Sequence, residues 1–253
     1  MHVSHISFSS DLIAKIVRCV EDAVGDDIRE DIYRNNLQTR NSVPSRIWDL
    51  LNTNVIRTLD TEECLISKVH RGPWEMLIVL EKTTQCVFTF MREKRFAEIR
   101  KSQHRRPHMH YVDILARQFN SELPSDQQMC FLPHTFADED RLSELVQTLL
   151  HDFEDDVDLV RNHVLVLFET SGYHLTHIRA VMVTPSLEIA HGAEQDWSQF
   201  ISVNESVVVD KVTIPSTLED QPDRGLKLKA KAIARKKNKP KQKDQLQEES
   251  GQA

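Results

Sequence analysis

Hydrophobic positions recur at spacings of three and four residues from the start of the chain, which is the pattern of a helix with one buried face. The first such stretch lies between Ser9 and Gly25 and contains Leu12, Ile13, Ile16, Val17, Val20 and Val24. Ser9 or Ser10 is typical of a helix N-cap, so the sequence predicts a core-packing helix that ends before Gly25. Residues 26–41 are polar and charged, and Pro44 then favours the start of a second helix.

Five apolar runs have the length of strands, at residues 62–69, 74–81, 85–91, 163–169 and 175–183. The first three are separated by short segments with turn composition, so we expect them to pair as an antiparallel meander. The last two flank a turn at Gly172 and predict a later hairpin. Two further strand-like pieces occur at residues 129–133 and 206–214.

Helical periodicity between the two groups of strands predicts three more helices. A short basic helix covers residues 92–101, and another has Val112, Leu115 and Phe119 on one side. Thr135 to Asp138 is typical of a capping box before an apolar helix that extends to Phe153. Because the strands come in blocks and do not alternate with helices, the sequence predicts an α+β fold with a mainly antiparallel sheet and flanking helices.

Charge divides the chain into unlike parts. The whole chain holds 32 Lys and Arg against 39 Asp and Glu, a net charge of -7. Residues 221–253 hold ten basic and four acidic residues, no aromatic residue and few large apolar ones, so we expect a basic, disordered tail after a single α+β domain of residues 1–220. Inside that otherwise acidic domain, residues 92–106 hold seven basic and two acidic residues.

This basic segment predicts a binding site for anions or nucleic acid. Its cations are Arg92, Lys94, Arg95, Arg100, Lys101, Arg105 and Arg106. The alternative is a solvated helix face in which Glu98 pairs with Lys94 or Lys101. The partner expected for the binding site is nucleic acid or an acidic protein.

Several chemistries lack their motifs. Six glycines cannot supply a dinucleotide-binding or Walker phosphate loop, and neither Asp-x-Lys, Glu-x-Lys nor Gly-x-Ser-x-Gly occurs. The four cysteines are widely spaced, and arginines interleave His104, His108 and His110, so we expect no metal and no cofactor. Apolar runs of about 18 residues and a secretory signal are absent from the sequence, so we expect a cytoplasmic protein without a membrane partner.

Metal-independent acid–base chemistry on RNA remains open. Arg92 and Arg95 would stabilise the phosphorane charge, whereas Glu93, His110 and Asp113 are the candidates for proton transfer and its support. These five residues form the candidate catalytic set. They equally fit a structural network, in which Glu93 pairs with a nearby arginine and Asp113 accepts a hydrogen bond.

Five motifs resemble a bacterial and phage-associated family of unknown function. They are RIWDLLNTN (46–54), GPWE (72–75), FTFMREKRF (88–96), HYVD (110–113) and EQDW (194–197). The resemblance covers residues 35–200 and leaves the basic tail outside. It implies a bacterial cytosolic setting, a single α+β unit and a neighbourhood of mobile elements or toxin–antitoxin genes, and it transfers no activity.

Three functions follow from these patterns. The leading hypothesis is an effector or partner-binding component of a bacterial defence or toxin–antitoxin module, which uses a basic surface at residues 92–111. One alternative is a metal-independent ribonuclease. The other is a purely structural or interaction domain, which would be favoured if Arg92, Arg95 and Arg105 were each buried in ion pairs.

Overall fold

The computed structural model describes residues 5–71, 74–123 and 135–202 of the chain. Its strands are β1 (Cys64–Arg71), β2 (Trp74–Glu81), β3 (Cys86–Arg92), β4 (Asn162–Ser171), β5 (His174–Val183) and β6 (Ile189–Asp196). Its α-helices are α1 (Ser10–Val24), α2 (Asp26–Arg34), α3 (Val43–Leu59), α4 (Glu93–Ser102), α5 (Tyr111–Phe119) and α6 (Leu142–Leu150). Shorter 3-10 helices are Gln103–Arg105, Glu139–Arg141, His151–Leu159 and Ser198–Phe200. The predicted α+β class, with a mainly antiparallel sheet, is confirmed.

All six strands form one sheet, in which they follow one another in chain order. Neighbouring strands are antiparallel except at the centre, where β3 and β4 run parallel. Parallel neighbours need a long crossover, which contains α4, α5 and α6. The hydrophobic pattern predicts neither the parallel pair nor β6, because it reports which residues are buried and not which strands become neighbours.

The sheet opens between β2 and β3 at one end. These two strands pair only from Glu81 opposite Cys86 to Val79 opposite Phe88, whereas β3 stays paired with β4 as far as Arg92. Beyond Phe88, the β1–β2 hairpin therefore separates from β3. This opening lies at the carboxyl end of the parallel pair.

Helices cover both faces of the sheet and give it two hydrophobic cores. On one face, Ile16 of α1 and Leu51 of α3 pack with Phe88 and Trp197. On the other face, the core side chains include Ile99 of α4, Leu115 of α5, Leu150 of α6 and Leu167 of β4. Strands β3 and β4 are buried on both faces, which explains why they are hydrophobic at nearly every position.

The N-terminal helix begins as predicted, with the Ser9 side chain accepting a hydrogen bond from the Leu12 backbone N–H at 3.2 Å. Two other helical boundaries differ from the prediction. The polar stretch after Gly25 forms α2, because it buries Ile28 and packs Ile32 against the core while most of its charged residues face solvent. The predicted capping box at Asp138 is wrong, since this carboxylate instead accepts a hydrogen bond from the Met109 backbone N–H at 3.1 Å.

Within the described ranges, no helix is long and apolar enough to cross a membrane. The strand-like pieces at residues 129–133 and 206–214, Cys130 and the basic tail at 221–253 lie outside the described residues.

Candidate functional site

The predicted basic site is carried by α4 and the turn that follows it. Phe96 and Ile99 face the core, so Lys94 and Lys101 lie on the outward side of the helix and are exposed. Arg105 is exposed just after the helix. In the part of the chain that the structure describes, none of these three cations has a carboxylate within 4 Å. They are available to a negatively charged ligand.

The other cations of α4 are engaged at its edges. Arg95 binds Glu98 at 3.1 Å, and Arg100 binds Glu188 at 3.4 Å. Glu98 therefore pairs with Arg95 and with neither outward lysine, whereas the helix face is solvent-exposed, as the alternative expects. Both pairs are exposed, and exposed ion pairs contribute little to stability, so they can open to a stronger anion.

Arg106 belongs to a buried cluster around Asp113. The Asp113 side chain is fully buried and accepts hydrogen bonds from Arg106 at 2.7 Å, from Gln103 at 3.0 Å and from the His110 backbone N–H at 2.7 Å. His110 is the N-cap of α5, and its Nδ1 accepts a bond from the Val112 backbone N–H at 3.4 Å. These contacts fix the connection between α4 and α5.

Arg92 and Glu93 are adjacent in sequence and lie on opposite faces of the sheet. The Glu93 carboxylate binds Arg179 at 2.5 Å, and Arg179 also binds Glu194 at 2.5 Å. These hydrogen bonds raise the pKa of Arg179. Arg92 turns to the face covered by α1 and α3, where its guanidinium carbon lies 6.0 Å from the centre of the Phe168 ring.

The candidate catalytic residues therefore serve separate contacts. Glu93 bridges to β5, whereas His110 and Asp113 organise the start of α5. Arg95 is held at the surface by its own helix, and Arg92 lies on the far face. These contacts are the ones expected of the structural network, in which Glu93 pairs with an arginine and Asp113 accepts a hydrogen bond. None of the five candidate catalytic residues provides a proton acceptor beside the exposed cations Lys94, Lys101 and Arg105.

Segments of the motifs lie together at the open end of the sheet. β2 begins within residues 72–75, β3 ends within 88–96, and β6 ends within 194–197. Trp48, from motif 46–54, packs edge-on against Phe168 with 5.6 Å between ring centres. The carboxyl ends of parallel strands, where neighbours diverge, are a common place for ligand sites.

Sequence reasoning missed two polar groups inside the strands. One is Arg179, a charged residue within the hydrophobic run of β5, and that interruption was the available signal. The other is His163, which is fully buried and lies 3.0 Å from the Thr89 hydroxyl. Asn120 fixes the same strand by accepting a bond from the His163 backbone N–H at 3.0 Å. Burial lowers the pKa of His163 to about 3.

The described cysteines are suited to packing. Burial raises the pKa of Cys64 to about 11 and also raises the pKa of Cys19 and Cys86, so their thiols stay protonated at neutral pH. His108, from the histidine-rich segment, lies 3.6 Å from the Asp138 carboxylate. Among residues 5–71, 74–123 and 135–202, no group of three or more His, Cys, Asp or Glu side chains is placed to hold a metal ion.

Comparison with known proteins places most of the chain in one family. No curated protein matches the chain, and no solved structure matches it. A family model described as a family of unknown function (DUF5986) matches residues 5–248, which include the entire sheet and the α4 region. The expected limits of 35–200 are therefore too narrow, since the match also covers α1 and most of the basic tail. The protein therefore belongs to the DUF5986 family of unknown function.

Proposed function

We propose that this protein binds the phosphate backbone of RNA through a surface formed by Lys94, Lys101 and Arg105, the α4 basic surface. The observation that carries the proposal is that all three cations are exposed and lack a carboxylate partner among the described residues. The two lysines are seven residues apart on one side of α4, which corresponds to about 10 Å along the helix axis. A flexible single strand can place successive phosphates against such a row.

The composition of the surface favours nucleic acid over a protein partner. The outward positions between the two lysines are Ala97 and Glu98, and the large apolar residues of α4 are buried. The Glu98 carboxylate is paired with Arg95. A stable protein interface normally has an apolar core inside a polar rim, which this helix face lacks. The exposed positions of α4 also hold no aromatic side chain on which a base could stack, so we expect contacts with phosphates and little sequence preference.

Binding is better supported than RNA cleavage. Glu93, the candidate proton acceptor, is tied to Arg179, and its side chain is only 14% exposed. Asp113 is fully buried beneath Arg106 and Gln103. Neither carboxylate is positioned to take a proton from a ribose hydroxyl on the α4 basic surface. The ribonuclease remains the alternative because His110 lies partly exposed at the start of α5.

The cellular role that we propose is a cytoplasmic effector or partner-binding component of a bacterial defence or toxin–antitoxin module, with RNA as its ligand. The acidic remainder of the domain supports this arrangement. Residues 1–220 without residues 92–106 hold 15 basic and 33 acidic residues, so within this domain a polyanion is repelled by the remainder and attracted to residues 92–106.

The test measures RNA affinity of the full chain at two salt concentrations. A labelled single-stranded RNA of random sequence is titrated at 50 and 200 mM salt. Each phosphate contact contributes about -0.7 to the slope of log K against log salt, so Lys94→Gln/Lys101→Gln reduces the slope by about 1.4. When the salt concentration rises fourfold, the factor by which the affinity falls should then be about sevenfold smaller for this variant than for the wild type.

A matched control removes two lysines elsewhere. Lys15 and Lys68 are paired with Asp11 and Glu75, so Lys15→Gln/Lys68→Gln changes the net charge equally and should keep the wild-type slope. Equal slopes for the two double variants would refute the α4 basic surface. The RNA is sized afterwards without divalent ions. If the wild type shortens the RNA and His110→Ala leaves it intact, the ribonuclease hypothesis would replace the binding proposal.

A further inference from the structure

Half-buried arginines in this protein are normally neutralised. Within the described residues they are Arg46, Arg92, Arg106, Arg117 and Arg179. Four of them bind carboxylates, which belong to Asp31, Asp113, Glu139 and, for Arg179, Glu93 with Glu194. The exception is Arg92, which has no carboxylate within 4 Å in the described part of the chain. A partly desolvated guanidinium without an anion is costly, so an anion from a ligand would stabilise it.

The surroundings of Arg92 show why it has no internal partner. Its Nε is buried and has no hydrogen-bond acceptor. The nearest carboxylate in sequence, Glu93, lies on the opposite face and is occupied by Arg179. The contact that remains is the Phe168 ring below the guanidinium, which supplies no acceptor for its N–H groups. Burial without a compensating charge lowers the pKa of Arg92.

The opening between β2 and β3 lies at the strand end that holds Arg92. Pairing between β2 and β3 ends at Phe88, four residues before Arg92. The terminal nitrogens of Arg92 are not among the buried groups without partners, and the residue is only half-buried, so these nitrogens are accessible to solvent. Two parallel N–H groups of a guanidinium match the two oxygens of a carboxylate or phosphate.

We infer that Arg92 is the receptor for an oxyanion, a phosphate or carboxylate group of a small ligand that enters at the open end of the sheet between β2 and β3. This site lies on the face of α1 and α3, whereas α4 covers the other face. It is therefore separate from the α4 basic surface and does not depend on RNA binding.

The test is thermal unfolding of the full chain at constant ionic strength, with 10 mM chloride, inorganic phosphate or acetate. A ligand with a Kd of about 1 mM raises the Tm of a domain of this size by about 3 °C at that concentration. We expect phosphate, acetate or both to raise the Tm of the wild type. Arg92→Met should remove the rise, and Arg141→Met, which removes an exposed arginine, should keep it.

The same variants separate ligand binding from a structural role. In chloride alone, Arg92→Met should unfold at the same or a higher temperature than the wild type, because it replaces an unneutralised buried charge with an apolar chain. A rise with phosphate alone identifies a phosphate ligand, and a rise with acetate alone identifies a carboxylate. Lys94→Gln/Lys101→Gln should retain the rise. An absent rise in the wild type, or an equal rise in Arg92→Met, would overturn the proposal.

Discussion

Lowering the pH from 7.5 to 5 tests the burial of His163. Its pKa in the folded protein is about 3, against 6.5 for an exposed histidine, so the unfolded chain takes up a proton that the folded protein excludes. Stability from this group is complete above pH 6.5 and is lost as the pH falls towards 3. Linkage gives a loss of about 2 kcal/mol in the free energy of unfolding between pH 7.5 and 5.

The assay is urea unfolding at both pH values for the wild type and for His163→Gln. Glutamine can keep the bond to the Thr89 hydroxyl but does not titrate, so the variant should lose about 2 kcal/mol less than the wild type on acidification. His191→Gln, at an exposed position, serves as the matched control and should behave as the wild type. Equal acid losses in the wild type and His163→Gln would refute the reasoning, since the histidine would then be protonated inside the fold or solvated.

Three other predictions concern the contacts that hold the site. Asp113→Asn should lower the free energy of unfolding by about 3 kcal/mol because it removes the buried charge that three donors share, whereas Asp140→Asn at an exposed position should change urea unfolding little. Glu93→Gln should cost about 2 kcal/mol, more than Glu194→Gln, because the Glu93 side chain is the more buried of the two; equal losses in urea unfolding would contradict this ranking. Gly172→Ala should cost about 1 kcal/mol, measured as a lower Tm, since its φ of 59° disfavours a residue with a Cβ atom; an unchanged Tm would contradict it.

The elements that the sequence predicts well are those whose hydrophobic period is long and unambiguous. The helix beginning near Ser9 has such a period, and all five strand-like runs in the described residues form strands. Residues 189–196 escaped prediction because Ala190 and Ala193 are the buried apolar residues of β6, and alanine gives a weak strand signal. The parallel central pair escaped because a strand buried on both faces carries no alternation that would indicate its neighbours.

The sequence predicts which residues of the candidate site are charged, but not where their side chains lie or which residues they contact. Local composition identifies residues 92–106 as basic, and helix periodicity separates the outward Lys94 and Lys101 from the buried face. The contrast between Arg92 and Glu93 depends on which side of a strand end each residue faces. The bond of Glu93 to Arg179 joins residues 86 positions apart, and no local pattern reports such a contact.

The order of the strands also bears on how the chain folds. β1 to β3 and β4 to β6 are each contiguous in sequence and pair mainly through antiparallel neighbours, so each half-sheet can form from local contacts. The single parallel pair in the middle requires closure of the segment between Arg92 and Asn162, whose entropic cost must be met before the pairing stabilises the fold. We therefore expect two early three-stranded units and a late central docking, so that the open end at Arg92 is completed only in the last step of folding.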